Sequence, residues 1–235
     1  MSWTTLINGS SATIVFGGTV LATVLRCGIT DTRITLSKLA QLGKPAFDAD
    51  NTRAKLAVQV QEIRRDGLLR TEPRHFDDNE FSEATDALIG SRSVEALVQK
   101  HEAHRARRLA QSEAAVRTLA QAAELAPVFG LAGTLISLSQ LPVEGIAKAT
   151  LVGAIGMAVT TTLYGLLAAN LLFAPLARIV ERAARAEEAA RQDVIDWLTS
   201  QLEDAVPPRR SAASASETHH HAHSAPQQHS PREAA

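Results

Sequence analysis

A single cysteine, Cys27, excludes an internal disulfide and any cysteine metal cluster. Aromatic residues make up only 4% of the chain and the formal net charge is −1, so the basic field and stacking platforms of a nucleic-acid-binding protein are missing. The opening "MSWTTLINGSS" has no basic residue, so a cleaved signal peptide is not expected. No phosphate loop, nucleophile elbow or catalytic dyad is found, so the expectation is a protein that is not an enzyme and carries no cofactor or resident metal. The most informative absence is local. Charged residues are 21% of the 235, yet none precedes Arg26, none falls between Glu124 and Glu144, and none between Lys148 and Arg178. Three charge-free windows of roughly 20 residues are what about 30 Å of hydrocarbon demands of helices.

The fold class that follows is all-α: an integral membrane protein with three transmembrane helices, a helical cytoplasmic insert and a long C-terminal helix. The first span covers about Leu6 to Leu25 and is the most polar, with Asn8, Ser10, Ser11 and the pair Gly17 and Gly18. The second covers about Leu125 to Leu141, the third about Leu151 to Ala174. Arg26, Arg33 and Lys38 follow the first span, Arg105 to Arg117 precede the second, and Arg178, Arg182 and Arg185 follow the third. Basic residues on the cytoplasmic flank therefore put the N-terminus in the periplasm and the C-terminus in the cytoplasm, in a bacterial inner membrane. The expected division is 1–28 first span, 29–122 helical cytoplasmic domain, 123–177 helix pair with a short external turn, 178–204 amphipathic cytoplasmic helix, and 205–235 disordered tail.

Within the cytoplasmic part, "TRITLSKLAQLG", "NTRAKLAVQVQEIRRDGLL", "SEATDALIG" and a run from Val94 to Ala123 read as helices, with breakers at Gly43 to Pro45 and at Glu72-Pro73. Leu176 to Leu202 reads as an amphipathic helix. "HEAH", His101 to His104, places two imidazoles at i,i+3, but it lacks the spacing of a zinc-protease helix and a third ligand, so a solvated charged face is the simpler reading. The His-rich tail "THHHAHSAPQQHSPREAA" reads as low-complexity sequence with adventitious metal affinity.

Two spans carry small, oxygen-bearing faces. In the third, Ala158, Thr162, Gly165 and Ala169 follow i, i+4, i+7, i+11. In the second, Pro127, Gly130, Thr134 and Ser137 follow i, i+3, i+7, i+10. Close helix packing accounts for such faces, since a membrane hydroxyl can satisfy itself on its own backbone. A path for protons accounts for them too, because a hydroxyl both donates and accepts. No span contains Asp, Glu, His, Lys or Arg, and a membrane proton relay needs a titratable group. A conducting reading therefore needs an acid from another polypeptide.

The segments "APVFGLAGTLISL" (Ala126 to Leu138) and "GMAVTTTLYGLLAANLLFAPLA" (Gly156 to Ala177) resemble the MotA/TolQ/ExbB proton-channel family. An Ala-Pro-x-x-Gly-x-x-Gly-Thr opens one helix, and a Thr-x-x-Gly lies in the next, which ends in x-Pro-Leu-Ala. "VFGGTVLATVLR" and "EIRRDGLLRTE" (Glu62 to Glu72) are similar to the flagellar-stator branch, whereas three spans with the N-terminus outside is the TolQ/ExbB count. The resemblance implies a homo-oligomer, a pentamer, around two copies of a single-span membrane partner (MotB-, TolR- or ExbD-like) whose intramembrane aspartate carries the proton. It implies helix prolines at Pro127 and Pro175, a pore threonine at Thr162 with Thr134, Ser137, Ala158 and Gly165 lining the path, and contacts to a rotor protein by Arg64 and Glu72. A flagellar stator subunit is the favoured expectation. A TolQ/ExbB-type energiser of outer-membrane transport and a non-conducting membrane scaffold are the alternatives, and the ion, proton or sodium, stays open.

Overall fold

The computed structural model describes residues 9–45, 47–67, 78–141 and 148–203, which contain no strand. Seven α-helical segments follow one another: α1 (Gly9–Ala12), α2 (Gly18–Gln41), α3 (Ala49–Asp66), α4 (Asn79–Ser91), α5 (Val94–Ser139), α6 (Lys148–Leu167) and α7 (Ala174–Glu203). Two π-helical turns, Thr13–Gly17 and Ala168–Phe173, join α1 to α2 and α6 to α7. Three helical runs are long and apolar enough to cross a membrane: Thr13–Gln41, Val94–Ser139 and Lys148–Leu202. Their apolar windows are only 17%, 28% and 17% buried within the chain, so most of this surface is left for lipid or neighbouring chains. Glu72, the end of the "EIRRDGLLRTE" stretch, the external turn 142–147 and the His-rich tail lie outside the described residues.

The segment boundaries drawn at 122/123 and 177/178 are not breaks in the backbone. The run from Val94 and the second span form one helix of 46 residues, roughly 70 Å long, with Pro127 inside it. The third span and the amphipathic C-terminal helix are likewise continuous through Pro175. A helical proline lacks an N–H and crowds the carbonyl four residues back. Upstream of Pro175 the π turn Ala168–Phe173 widens the backbone, the kind of local adjustment that accommodates such a residue.

Gly28 does break a helix. Its φ of 85° and ψ of 162° lie where a side chain is strained, and α2 kinks there between an apolar half and a half carrying Asp31, Arg33 and Lys38. On the apolar side, Ser11, Val15, Thr19 and Thr23 form a buried face. Thr19 and Thr23 donate to the carbonyls of Val15 and Thr19 at 2.6 and 2.7 Å, so their burial leaves no hydroxyl stranded. Phe129 of α5 rests against Gly18, where an added Cβ would lie 2.4 Å from the ring.

The cytoplasmic helices are punctuated as helix-end chemistry requires. Asp48 caps α3 by accepting from Asn51 N at 3.0 Å, and Gly67, at φ 75°, ends it. Asp78 caps α4, whose C-cap Arg92 adopts the left-handed conformation. Leu56, Val60 and Ile63 of α3, Phe81 and Leu88 of α4, Leu97 of α5, and Val194, Ile195, Leu198 and Leu202 of α7 form one buried core. Burying each such side chain contributes about 1.5–3 kcal/mol, so α3 and α4 are held by the start of α5 and the end of α7. A second cluster, Ala115, Leu119, Ala177 and Val180 with Leu39 and Leu42 packed on it, joins this bundle to the membrane helices.

Candidate functional site

The membrane helices α5 and α6 meet along glycine and hydroxyl residues. A Cβ built on Gly130 would lie 3.1 Å from the Thr161 carbonyl oxygen, and one on Gly133 2.9 Å from the Thr161 side chain. Thr161 is fully buried and donates to Ala158 O at 2.8 Å. Ser137, also buried, donates to Gly133 O at 2.8 Å. This is close backbone packing, made possible by the absence of side chains.

The positions expected to line a path divide between two environments. Ser137 and Gly165 are buried in the α5–α6 contact of the chain itself. Thr134, Ala158 and Thr162 are half-buried at its edge. Thr134 donates to Leu131 O at 2.6 Å and Thr162 to Ala158 O at 3.3 Å. Both hydroxyls keep acceptor capacity, and the long Thr162 bond is weaker than its neighbour's at Thr161. Pro127 and Pro175 are half-buried in α5 and α7. Among the described residues, neither the α5 segment 125–139 nor the segment 149–177 holds Asp, Glu, His, Lys or Arg, so the face has hydroxyls and no carboxylate or imidazole.

The cytoplasmic candidates are held differently. Arg64 is exposed at the end of α3, and its guanidinium donates to Gln201 at the end of α7: 2.9 Å to the carbonyl oxygen and 3.1 Å to Oε1. A cation on a C-terminal carbonyl also suits the helix dipole. Glu72 lies outside the described residues. His101 and His104 do not converge on a shared site, and no group of three potential ligands occurs among the described residues. His101 is buried, its Nε2 3.3 Å from Gln192 Oε1, and burial pushes its pKa below the ordinary imidazole value. His104 Nε2 lies 3.2 Å from Glu83 Oε2, which Lys100 also holds at 2.9 Å. That hydrogen bond from Lys100 is the main reason the Glu83 carboxyl titrates below its usual value.

A network that sequence patterning did not reveal ties α4, α5 and α7. Arg108 clamps Glu188 through Nη2 at 2.9 Å and Nε at 3.1 Å and also pairs with Glu80. Arg191 reaches Asp78 at 2.7 Å and Glu187 at 3.0 Å, and its guanidinium lies 4.4 Å from the centre of the Phe47 ring. The partners are separated by 80 or more residues in several of these pairs, beyond any helical periodicity.

Residues 72–193 match the MotA/TolQ/ExbB proton channel family over just over half of the chain. The chain belongs to the MotA/TolQ/ExbB proton channel family. Membership of MotA/TolQ/ExbB, together with three apolar helices, makes it a bacterial inner-membrane protein. It is 28% identical over 157 residues to Motility protein A of Cereibacter sphaeroides, covering 66% of this chain and 62% of that protein. A shorter match, 38% over 78 residues, is to Motility protein A of Borreliella burgdorferi, covering 33% of this chain and 30% of that protein. The matches thus span less than two-thirds of the length of these curated relatives. The fold is shared with MotAB from C. jejuni, at a TM-score of 0.74 and 21% identity over 87% of this chain and 81% of that one. It is also shared with the flagellar MotAB stator complex from Bacillus subtilis, at 0.75 and 21% over 93% and 91%.

Proposed function

We propose that this chain is the channel-forming subunit of a flagellar stator, which couples proton flow across the inner membrane to mechanical work on a rotor, and that it is not an enzyme. The observation that carries the reading is a hydroxyl-edged face on α5 and α6 with no Asp, Glu, His, Lys or Arg among the described residues of segments 125–139 and 149–177. Such a face serves a carboxylate brought by another chain: a single-span, MotB-like partner with an intramembrane aspartate, enclosed by a ring of this subunit, a pentamer. The relatives named Motility protein A and the shared fold with MotAB complexes support the motor reading over the outer-membrane transport one.

In this reading the N-terminus is periplasmic and the C-terminus cytoplasmic. Segments 1–28 and 123–177 form the membrane part, 29–122 and 178–204 the torque-bearing part, and 205–235 a tail. Thr162 sits nearest the partner's acid, Thr134 and Ala158 edge the path, and Ser137 and Gly165 stand behind it and set its wall. Pro127 and Pro175 mark its cytoplasmic end, and Arg64 with Glu72 face the rotor.

The decisive experiment is Thr162→Ala, measured as proton flux through the assembled complex with expression confirmed. A hydrogen bond of about 1 kcal/mol corresponds to a roughly fivefold fall in flux. Unchanged flux argues for a scaffold that packs and does not conduct.

A further inference from the structure

Below the membrane junction, the end of α2, the α2–α3 loop, α5 and α7 enclose an open cleft of about 800 Å³. Its charges are unevenly satisfied. Asp48 accepts from the α3 backbone, Asp78 and Glu187 hold Arg191, and Glu188 holds Arg108. Every carboxylate lining the cleft is therefore engaged. Lys38, half-buried, and Lys44, exposed, also line it, and among the described residues neither ammonium has an ion-pair or hydrogen-bond partner. Lys55 and the two arginines line the cleft as well, so cations exceed carboxylates by one, and the two lysine ammoniums near its mouth favour an anion.

Beside polar Gln41, Asn51, Thr52 and Ser112, its lining has an aliphatic wall: Leu42, Leu109, Val180 and Ala183. Leu42 and Val180 also belong to the cluster that includes Leu176 and Ala177, the last residues of the charge-free third span. Val180 is three residues past Ala177, about 5 Å along the helix, so the apolar wall begins at the bilayer surface. A free phosphate has no use for such a wall. Phe47 is not free to stack on a nucleobase, because its ring is stacked on Phe81 and Arg191 lies over both rings.

We infer that this cleft binds the phosphate headgroup of an anionic phospholipid from the cytoplasmic leaflet, with Lys38 and Lys44 on the phosphate and the glycerol and upper acyl carbons against Leu42, Val180 and Ala183. The site requires only that the chain sits in a bilayer, so its failure leaves the conduction reading untouched. It would make the seating of the α2–α3 loop on α5 and α7 depend on lipid composition.

The test is native mass spectrometry of the full chain, purified in mild detergent as the assembly it forms, with phosphatidylglycerol or phosphatidylcholine added at equal concentration. Juxtamembrane lysines favour anionic lipid strongly enough to give a preference of about tenfold or more for phosphatidylglycerol. That preference should fall about tenfold in the double variant K38Q/K44Q and persist in K38R/K44R. A183F, which fills the aliphatic wall and leaves both charges in place, should lower retention as well, and it decides the matter if K38Q/K44Q fails to assemble. Equal retention of the two lipids, or a preference that survives both K38Q/K44Q and A183F, overturns the proposal. So does displacement of the lipid by millimolar inorganic phosphate, which would make a soluble anion the occupant.

Discussion

Gly165 of α6 and Gly130 of α5 touch backbone to backbone: a Cβ on Gly165 would lie 3.0 Å from the Gly130 Cα and 2.7 Å from the Ala126 carbonyl oxygen. Neither obstacle is a side chain that can rotate away. Gly165→Ala is therefore expected to push α5 and α6 apart at a cost of about 1–3 kcal/mol, and Gly165→Val to cost more. Gly156→Ala, with nothing within 4 Å of the added methyl, is the matched control. Thermal stability of the purified assembly checks the pair, and equal melting of G165A and G156A would contradict this geometry.

Arg108 lies between Glu188 and Glu80 with only 13% of its side chain exposed, and Glu188 has 10%. Removing one member of a buried pair leaves its partners charged and desolvated. Arg108→Ala should destabilise the cytoplasmic bundle by about 3–5 kcal/mol, and pairing it with Glu188→Leu should recover a good part of the loss. Circular dichroism melts of single and double variants decide it, and additive losses would speak against a coupled pair.

His101 supplies an acid-sensitive contribution. Burial lowers its folded-state pKa, so the unfolded chain binds a proton more readily over the interval below the ordinary value of about 6.5. Stability is thus highest above that value and declines as the pH falls through it. The groups facing the ring are Gln192 and Glu188 of α7 and Glu102 and Arg105 of α5, and the two carboxylates moderate the effect without reversing it. His101→Gln should show a smaller drop in melting temperature between pH 7 and pH 5.5 than the parent chain. An identical drop would assign the acid sensitivity elsewhere.

Arg64 can be read as a rotor contact or as a clasp between α3 and α7, and the two make different predictions. If its charge meets the rotor, Arg64→Glu lowers torque in a host lacking its own stator and leaves proton flux intact, while Gln201→Ala has little effect. If the clasp matters more, Arg64→Glu lowers the melting temperature of the bundle, and Gln201→Ala lowers it less, because the Gln201 carbonyl still accepts from Arg64. Rotation speed of tethered cells and melting of the purified chain separate the cases, and normal swimming by Arg64→Glu removes the residue from the rotor interface.

The membrane helices were legible because charge is segregated so completely: the apolar windows need no tertiary information. The helices outside the apolar windows were legible from spacing and breakers, while the caps Asp48 and Asp78 came only with the structure. The π turn that carries the chain past Pro175 was not legible, because that adjustment is a property of the backbone. The face that turns inward is harder to read. Thr160, Thr161 and Thr162 cover more than half a helical turn, so periodicity cannot say which hydroxyl turns into its own chain, and it is Thr161 that does. The Arg108 and Arg191 network was invisible because its members come from three helices far apart in sequence.

The unbroken course of α5 has a mechanical meaning. One end is packed in the four-helix core and the other lies among the apolar helices, with the Ala115 and Leu119 cluster between them. A rod of roughly 70 Å pivoting near its middle by only a few degrees carries each tip sideways by about 2–3 Å in opposite directions. Small displacements at the bilayer thus arrive at the far end as a stroke of comparable size, with no loose joint in between to absorb it.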